Sequence, residues 1–173
     1  GGILDGLVRE RELLGDLRAR ADLVIDTSAL NVHDLRRKID AAFGGSDRVQ
    51  LRATVMSFGF KYGLPLDADI VNDVRFLPNP YWVPELRELS GLNAEVSDYV
   101  TALPEAREFL DRMSGMLDLV SDGYLREGKR YVTVAIGCTG GKHRSVAIAE
   151  ALTARLAADG LAASCIHRDL GRE

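Results

Sequence analysis

The segment from Tyr131 to Leu156 constrains the fold more than any other part of this sequence. Residues 131–136 read Tyr-Val-Thr-Val-Ala-Ile, a β-rich apolar run, and from Val146 onward apolar residues recur at helical spacing. The turn between them, residues 137–145, contains three glycines. We therefore predict a strand, a glycine-rich turn and a helix, a unit typical of α/β sheets.

The turn has the composition of an anion-binding site. Its glycines let several backbone N–H groups point into one concavity, and the start of the following helix adds a partial positive charge. Lys142 and Arg144 add full charges, as does His143 when it is protonated, and Ser145 is a residue type favoured at the helix N-cap. The turn therefore predicts phosphate binding by Thr139, Gly140, Gly141, Lys142, His143, Arg144 and Ser145.

The sequence from residue 46 to 173 predicts one α/β domain, with a parallel or mixed sheet flanked by helices. Strands are expected at 48–57, 70–76, 131–138 and 162–167, and helices at 94–101 and after Pro104.

The loop 57–65 follows the first of these strands and is expected beside the 137–145 turn, at the sheet edge where such folds bind ligands. Ser57 opens this loop and is a candidate ligand contact. Lys61 is either a second cation of the site or a solvated lysine. Asp73 either binds sugar hydroxyls or bonds to nearby backbone.

Residues 1–45 have a different pattern. They predict an amphipathic helix from Leu4 to Arg20, a short buried strand at 23–25, and a second helix that is capped by Ser28 or Asn31. These elements cannot form a core alone, and the run Gly-Gly-Ser-Asp at 44–47 predicts a boundary. We interpret residues 1–45 as the C-terminal remnant of another domain.

Composition excludes several classes of function. The net charge of −4 argues against wholesale nucleic-acid binding. The two cysteines, Cys138 and Cys165, fit no metal or disulfide framework. Since no run of 18 apolar residues, signal peptide or lipidation motif is found, we expect a cytoplasmic protein without a membrane partner. The turn is also one residue too short for a Walker A loop, which predicts no P-loop NTPase site here.

One enzymatic alternative stays open. Cys138 and Arg144 are separated by five residues, the spacing of the cysteine-dependent phosphatases, in which a thiolate attacks phosphorus and the arginine binds the phosphoryl oxygens. Residue 137 is Gly, whereas that motif has His. The other interpretation of Cys138 is a small buried residue at a strand end.

Three stretches resemble the C-terminal half of the RapZ/YvcJ family: residues 136–146, 57–61 and 73–80. Residues 21–28 and 166–173 resemble an actinobacterial member. The resemblance implies that the full-length protein has an N-terminal P-loop domain with ATP and GTP hydrolase activity, of which residues 1–45 would be the tail. The Walker segments are absent from these 173 residues, so no nucleotide cofactor and no catalytic residue are expected among them.

The same resemblance implies a C-terminal domain that binds a phosphorylated amino sugar or a UDP-sugar, such as glucosamine-6-phosphate or UDP-N-acetylglucosamine. Enterobacterial members also bind small RNA and present it to a ribonuclease, and self-association into homo-oligomers is expected from the family. Tyr81, a further candidate ligand contact, stands where the enterobacterial pattern has His. Its neighbour Trp82 either fills a core edge or stacks on a base.

Overall fold

The computed structural model describes residues 6, 8–10, 13–15, 20–21, 23–43 and 50–172. Backbone contacts divide the chain into two compact units, Gly1–Asp47 and Arg48–Glu173. Among the described residues, no helix is long and apolar enough to cross a membrane.

The described part of the first unit is helical at both ends. Residues 6, 8–10, 13–15 and 20 are helical, and helix α1 spans Val32–Phe43. Asn31 caps α1, because its side-chain oxygen accepts the N–H of Asp34 at 2.9 Å. Of the two cap candidates, Asn31 is therefore the one used. The remainder of the expected helix 4–20 and the boundary at 44–47 lie outside the described residues.

The strand predicted at residues 23–25 is wrong. These residues have no regular secondary structure, and Leu23 and Val24 are 43% and 51% exposed. A strand is stable only when a neighbour takes up its backbone hydrogen bonds. The described part of this unit offers no second strand, so the apolar run has no described partner.

The second unit is built on a four-stranded sheet in the order β2-β3-β1-β4. Its strands are β1 (Arg52–Gly59), β2 (Ile70–Asp73), β3 (Tyr131–Cys138) and β4 (Ala162–His167), and every adjacent pair is parallel. The α/β class with a parallel sheet is confirmed. Because all the strands run the same way, their carboxyl ends meet at one edge of the sheet.

Three helices complete this unit: α2 (Ala94–Thr101), α3 (Pro104–Arg126) and α4 (Arg144–Ala158). Helix α4 packs on β1, β3 and β4, and both α2 and α3 contact α4. Short 3₁₀ turns occupy Phe60–Tyr62 and Pro80–Trp82. The core lies between sheet and helices and includes the fully buried Val55, Val134, Ile136, Leu117, Ile148 and Leu152.

The bounds of β1 and β2 differ from the expected ones. β1 continues through Gly59, so Ser57 lies inside a strand and not in a loop. β2 stops at Asp73, three residues before the expected end, although the next N–H, that of Val74, still donates to the carbonyl of Gly137 at 2.9 Å. Of the first expected residues of β1, 48–49 lie outside the described part, and Gln50 and Leu51 precede the strand, which starts at Arg52. β3 and β4 have the predicted bounds.

Candidate functional site

A cavity of about 580 Å³ opens at the carboxyl edge of the sheet, between the end of β3 and the 3₁₀ turn Pro80–Trp82. The turn that follows β3 supplies one part of its wall: Cys138, Thr139, Gly140, Lys142, His143 and Arg144. Segments that follow β1 and β2 supply the other part: Lys61, Asn79, Tyr81, Trp82, Arg87 and Glu88.

Two glycines let the turn fold tightly over the end of β1. Gly141 has φ +82°, and a Cβ atom there would lie 2.8 Å from the backbone nitrogen of Gly59. A Cβ at Gly59 would in turn lie 2.6 Å from the carbonyl carbon of Gly140. Both positions therefore need glycine, one for its backbone angle and both for the close approach of two backbones.

Arg144 is the buried cation of the cavity. Only 5% of the residue is exposed, and its Nη1 donates to the carbonyls of Arg75 at 3.0 Å and Leu77 at 2.9 Å. Its Nη2 donates to the hydroxyl of Thr139 at 3.3 Å, whereas its Nε has no partner among the described residues. A buried donor without an acceptor is costly, so the described residues leave this polar group of Arg144 unsatisfied.

His143 takes the helix-start position that the sequence assigned to Ser145. It is the N-cap residue of α4, and no side chain makes a capping hydrogen bond there. The N-cap prediction for Ser145 is wrong because the helix begins two residues earlier than expected, at Arg144 instead of Val146. The Ser145 hydroxyl is fully buried and lies 3.1 Å from the Cys138 Sγ, which also accepts the N–H of Gly141 at 3.3 Å.

The ring of His143 contributes a hydrogen bond and not a charge. Its Nε2 lies 3.1 Å from the carbonyl oxygen of Arg87, and the residue is 7% exposed. Burial lowers the pKa of this imidazole below its ordinary value, so the neutral form is favoured and Nε2–H donates to the carbonyl. The positive charge expected from His143 is therefore absent near neutral pH.

The structure brings most of the predicted ligand residues together. The cavity is lined by Thr139, Gly140, Lys142, His143, Arg144, Lys61 and Tyr81. The other predicted residues, Gly141, Ser145, Ser57 and Asp73, do not line it.

Ser57 and Asp73 already have partners elsewhere. Ser57 is fully buried, and its hydroxyl lies 2.8 Å from His167 Nδ1. The Asp73 carboxylate receives the backbone N–H and the guanidinium of Arg75, and this side-chain hydrogen bond is the main cause that lowers its pKa. Of the two interpretations of Asp73, contact with sugar hydroxyls or bonding to nearby backbone, the structure shows the bond to nearby backbone.

Sequence reasoning named Tyr81 and Trp82 but missed Arg87 and Glu88 in the same wall of the cavity. Trp82 is 73% exposed and does not fill a core edge, and Tyr81 meets its ring edge-to-face at 5.3 Å between centroids. The guanidinium of Arg87 lies 5.0 Å from the Tyr81 ring centroid. The adjacent aromatic pair after Asn79-Pro80 was the available signal, whereas nothing in the sequence marked Glu88 as a lining residue.

Comparison with known proteins agrees with this architecture. The family profile of the RapZ C-terminal domain matches residues 51–171, and that of the RapZ-like N-terminal domain matches residues 2–47. A nucleotide-binding protein from Streptomyces coelicolor is 67% identical over all 173 residues, which cover 58% of its length. One from Parafrankia is 63% identical over 99% of this chain and 59% of its own length.

A third nucleotide-binding protein, from Nocardioides, is 61% identical over the whole chain and 58% of its own length. The chain thus spans just under three fifths of the length of these relatives. With a domain profile matched across most of its residues and relatives of this similarity, the chain belongs to the RapZ family.

Proposed function

We propose that the cavity at the carboxyl edge of the sheet binds a phosphorylated amino sugar or the corresponding sugar nucleotide. The observation that carries this proposal is the guanidinium of Arg144, which lies buried in the cavity wall with its Nε donor unpartnered among the described residues. A phosphate oxygen carries negative charge, and a guanidinium N–H forms its strongest hydrogen bonds with negatively charged acceptors.

The charge and size of the cavity support the same ligand class. Its lining includes four basic side chains, Lys61, Arg87, Lys142 and Arg144, and the single carboxylate of Glu88. A volume of about 580 Å³ suits a small metabolite. The exposed faces of Tyr81 and Trp82 offer an apolar surface on which a sugar ring or a base can lie.

Trp82 provides a direct measurement, because it is the sole tryptophan of the sequence and lines the cavity. Titrations should use glucosamine-6-phosphate, UDP-N-acetylglucosamine and inorganic phosphate, with N-acetylglucosamine as the uncharged control. We expect heat of binding and a change in Trp82 fluorescence from at least one phosphorylated compound and none from N-acetylglucosamine. A larger change with the nucleotide sugar would place its base against Trp82.

Arg144→Ala should weaken binding of the phosphorylated ligand by about 1.5–3 kcal/mol, the contribution of a hydrogen bond to a charged group, or roughly 10- to 150-fold in Kd. Because Arg144 also holds two backbone carbonyls, thermal unfolding must show that the variant is folded. Lys142→Ala removes a cavity cation without those contacts and should also weaken binding. Lys38→Ala, an exposed lysine of α1, is the matched control. Unchanged affinity in both cavity variants would refute the proposal.

The phosphatase alternative retains one supporting observation: Cys138 lines the cavity, and its Sγ contacts the Ser145 hydroxyl and the Gly141 N–H, groups that can stabilise a thiolate. Against it, Cys138 is 3% exposed and Nη1 of Arg144 is taken up by backbone carbonyls. This alternative requires phosphate release from an aryl phosphate that Cys138→Ser abolishes.

For the full-length protein we propose nucleotide binding, the property named for its relatives. We place ATP or GTP hydrolysis outside these 173 residues, since they contain no Walker segments. Binding of small RNA and a ribonuclease, and homo-oligomer formation, stay predictions from family resemblance.

A further inference from the structure

A second group of chemically reactive side chains lies away from the cavity, where α4 packs on the edge strand β4. One ligand atom each from Glu150, Cys165 and His167 lies within 4.8 Å of the other two. Cys165 and His167 are two residues apart in β4 and therefore project from the same face of the sheet. Glu150 belongs to α4, and none of the three lines the cavity.

The pairing of β4 with β1 places a hydrogen-bond partner beside His167. His167 lies directly opposite Ser57 of β1, and the Ser57 hydroxyl is 2.8 Å from its Nδ1. Ser57 is fully buried, so this contact is shielded from water. When Nδ1 carries the proton and donates it to Ser57, Nε2 is left as a metal ligand. A hydrogen bond at the second ring nitrogen is the arrangement that orients metal-binding histidines in proteins.

The other histidine nitrogen faces the carboxylate. His167 Nε2 lies 2.9 Å from Glu150 Oε1, which by itself describes an ordinary histidine–carboxylate contact. The thiol of Cys165 lies in the same space and adds a third donor atom to this pair. Sulfur, nitrogen and carboxylate oxygen together form a donor set for Zn²⁺, whereas Mg²⁺ and Ca²⁺ prefer oxygen ligands alone.

The geometry allows an ion to enter and to be enclosed. The side chain of Glu150 is 45% exposed and that of His167 is 15% exposed, so the cluster opens to solvent on the glutamate side. Zinc–ligand bonds of about 2.0–2.3 Å place ligand atoms less than about 4 Å apart. The three donors lie within 4.8 Å of one another, so side-chain movements of about 1 Å bring them to that spacing, and water can take the fourth position.

We propose that Glu150, Cys165 and His167 form a three-ligand zinc site that joins the edge strand β4 to helix α4. The site is independent of what the cavity binds. Cysteine spacing along the sequence gave no sign of it, because one ligand comes from a helix and the other two come from a strand.

The test uses the 173-residue protein, stripped with a chelator and titrated with Zn²⁺ alone by calorimetry and with Co²⁺ by absorption spectroscopy. We expect one equivalent of Zn²⁺ to bind and Co²⁺ to give a thiolate charge-transfer band. Cys165→Ser should abolish the band and weaken zinc binding at least tenfold. Cys138→Ser removes the other thiol of the sequence and should leave the band unchanged.

Glu150→Gln keeps the size of a partly exposed side chain, so the protein should stay folded while zinc binds at least tenfold more weakly. Zinc should also raise the melting temperature of the unmodified protein but not that of Cys165→Ser, because only the former has the site. The proposal is overturned if no stoichiometric zinc binding occurs. It is equally overturned if the cobalt–thiolate band survives Cys165→Ser, or if Glu150→Gln binds zinc as tightly as the unmodified protein.

Discussion

Arg144 shows how one buried cation can serve both the fold and a ligand. Its Nη1 bridges two carbonyls, of Arg75 and Leu77, that are 69 and 67 residues away in the sequence. These bonds fix the segment after β2 against the turn after β3 and leave Nε for another acceptor. The same residue therefore orders the cavity wall and keeps one donor without a partner among the described residues.

His143 makes stability depend on pH at the residue scale. Burial lowers its pKa in the folded state below the unfolded value of about 6.5, so the unfolded chain binds the proton more readily. The contribution of His143 to stability is therefore present above about pH 6.5 and is lost as the pH falls through the folded pKa. Urea unfolding at a series of pH values between about 5 and 8 should show this loss.

The control for this pH dependence is His143→Asn, which removes the titrating ring and retains an amide donor. In the variant, the free energy of unfolding should change less between pH 7 and pH 5.5 than in the unmodified protein. An identical pH dependence in the two proteins would show that His143 is not the group responsible.

The sequence predicted where the ligand site lies better than it predicted what each residue does there. The glycines and cations of the turn 137–145 indicated an anion site, and most of them line the cavity. The contact between Ser57 and His167 could not be predicted, since it joins residues 110 positions apart, whereas the local bond from the Arg75 N–H to Asp73 was one of the two interpretations offered. The role of His143 was also hidden, because its charge state depends on burial.

At the scale of elements, the sequence was most informative where hydrophobic patterns were strong. The bounds of α2, β3 and β4 agree with their predictions because pattern and flanking turn signals coincide. The run at 23–25 has the right composition for a strand but no described partner. Propensity describes what a segment can form, and pairing decides whether it does.

Gly115 lies in the interior of helix α3, where glycine lowers the stability of the helix. This residue is exposed, and a Cβ atom there would meet nothing within 4 Å. Glycine in a helix interior is less favourable than alanine by about 0.5–1 kcal/mol, because it loses more backbone freedom on folding. Gly115→Ala should therefore raise the free energy of unfolding by about that amount, as measured by urea denaturation.

Gly160→Ala is the matched control. Gly160 has equally open surroundings but a φ of +89°, an angle that costs alanine roughly 1 kcal/mol. The same substitution should thus stabilise the protein at one position and destabilise it at the other. A shift in the same direction at both positions would contradict the backbone explanation.

At the scale of the whole molecule, the sequence predicts the class of fold but not the order of the strands in the sheet. Helices between strands indicate a parallel sheet, whereas the order β2-β3-β1-β4 depends on long-range pairing that local patterns do not encode. The walls of the cavity also differed in how well local sequence predicted them. Its wall after β3 was predictable from one continuous segment, whereas Arg87 and Glu88 in the other wall were not predicted.

Residues 48–173 contain all four described strands and the core that covers them. Expressed alone, they should give one cooperative urea transition that is seen equally by near- and far-ultraviolet circular dichroism. Residues 48–161, which lack β4 and the buried Asp169, are the control and should not. A gradual, non-cooperative transition of 48–173 would refute its independence.

Because β4 is the last strand to be synthesised, part of the sheet stays unpaired while the chain is being made. Asp169 accepts the N–H of Gly59 across a separation of 110 residues, and β4 closes the flank of β1. At translation rates of about 5–20 residues per second, a nascent chain carries that bare flank for roughly 5–20 s. An unpaired apolar strand edge invites pairing with other chains. A chaperone that shields the newly made polypeptide would therefore need to hold β1 until Asp169 has been synthesised and has left the ribosome.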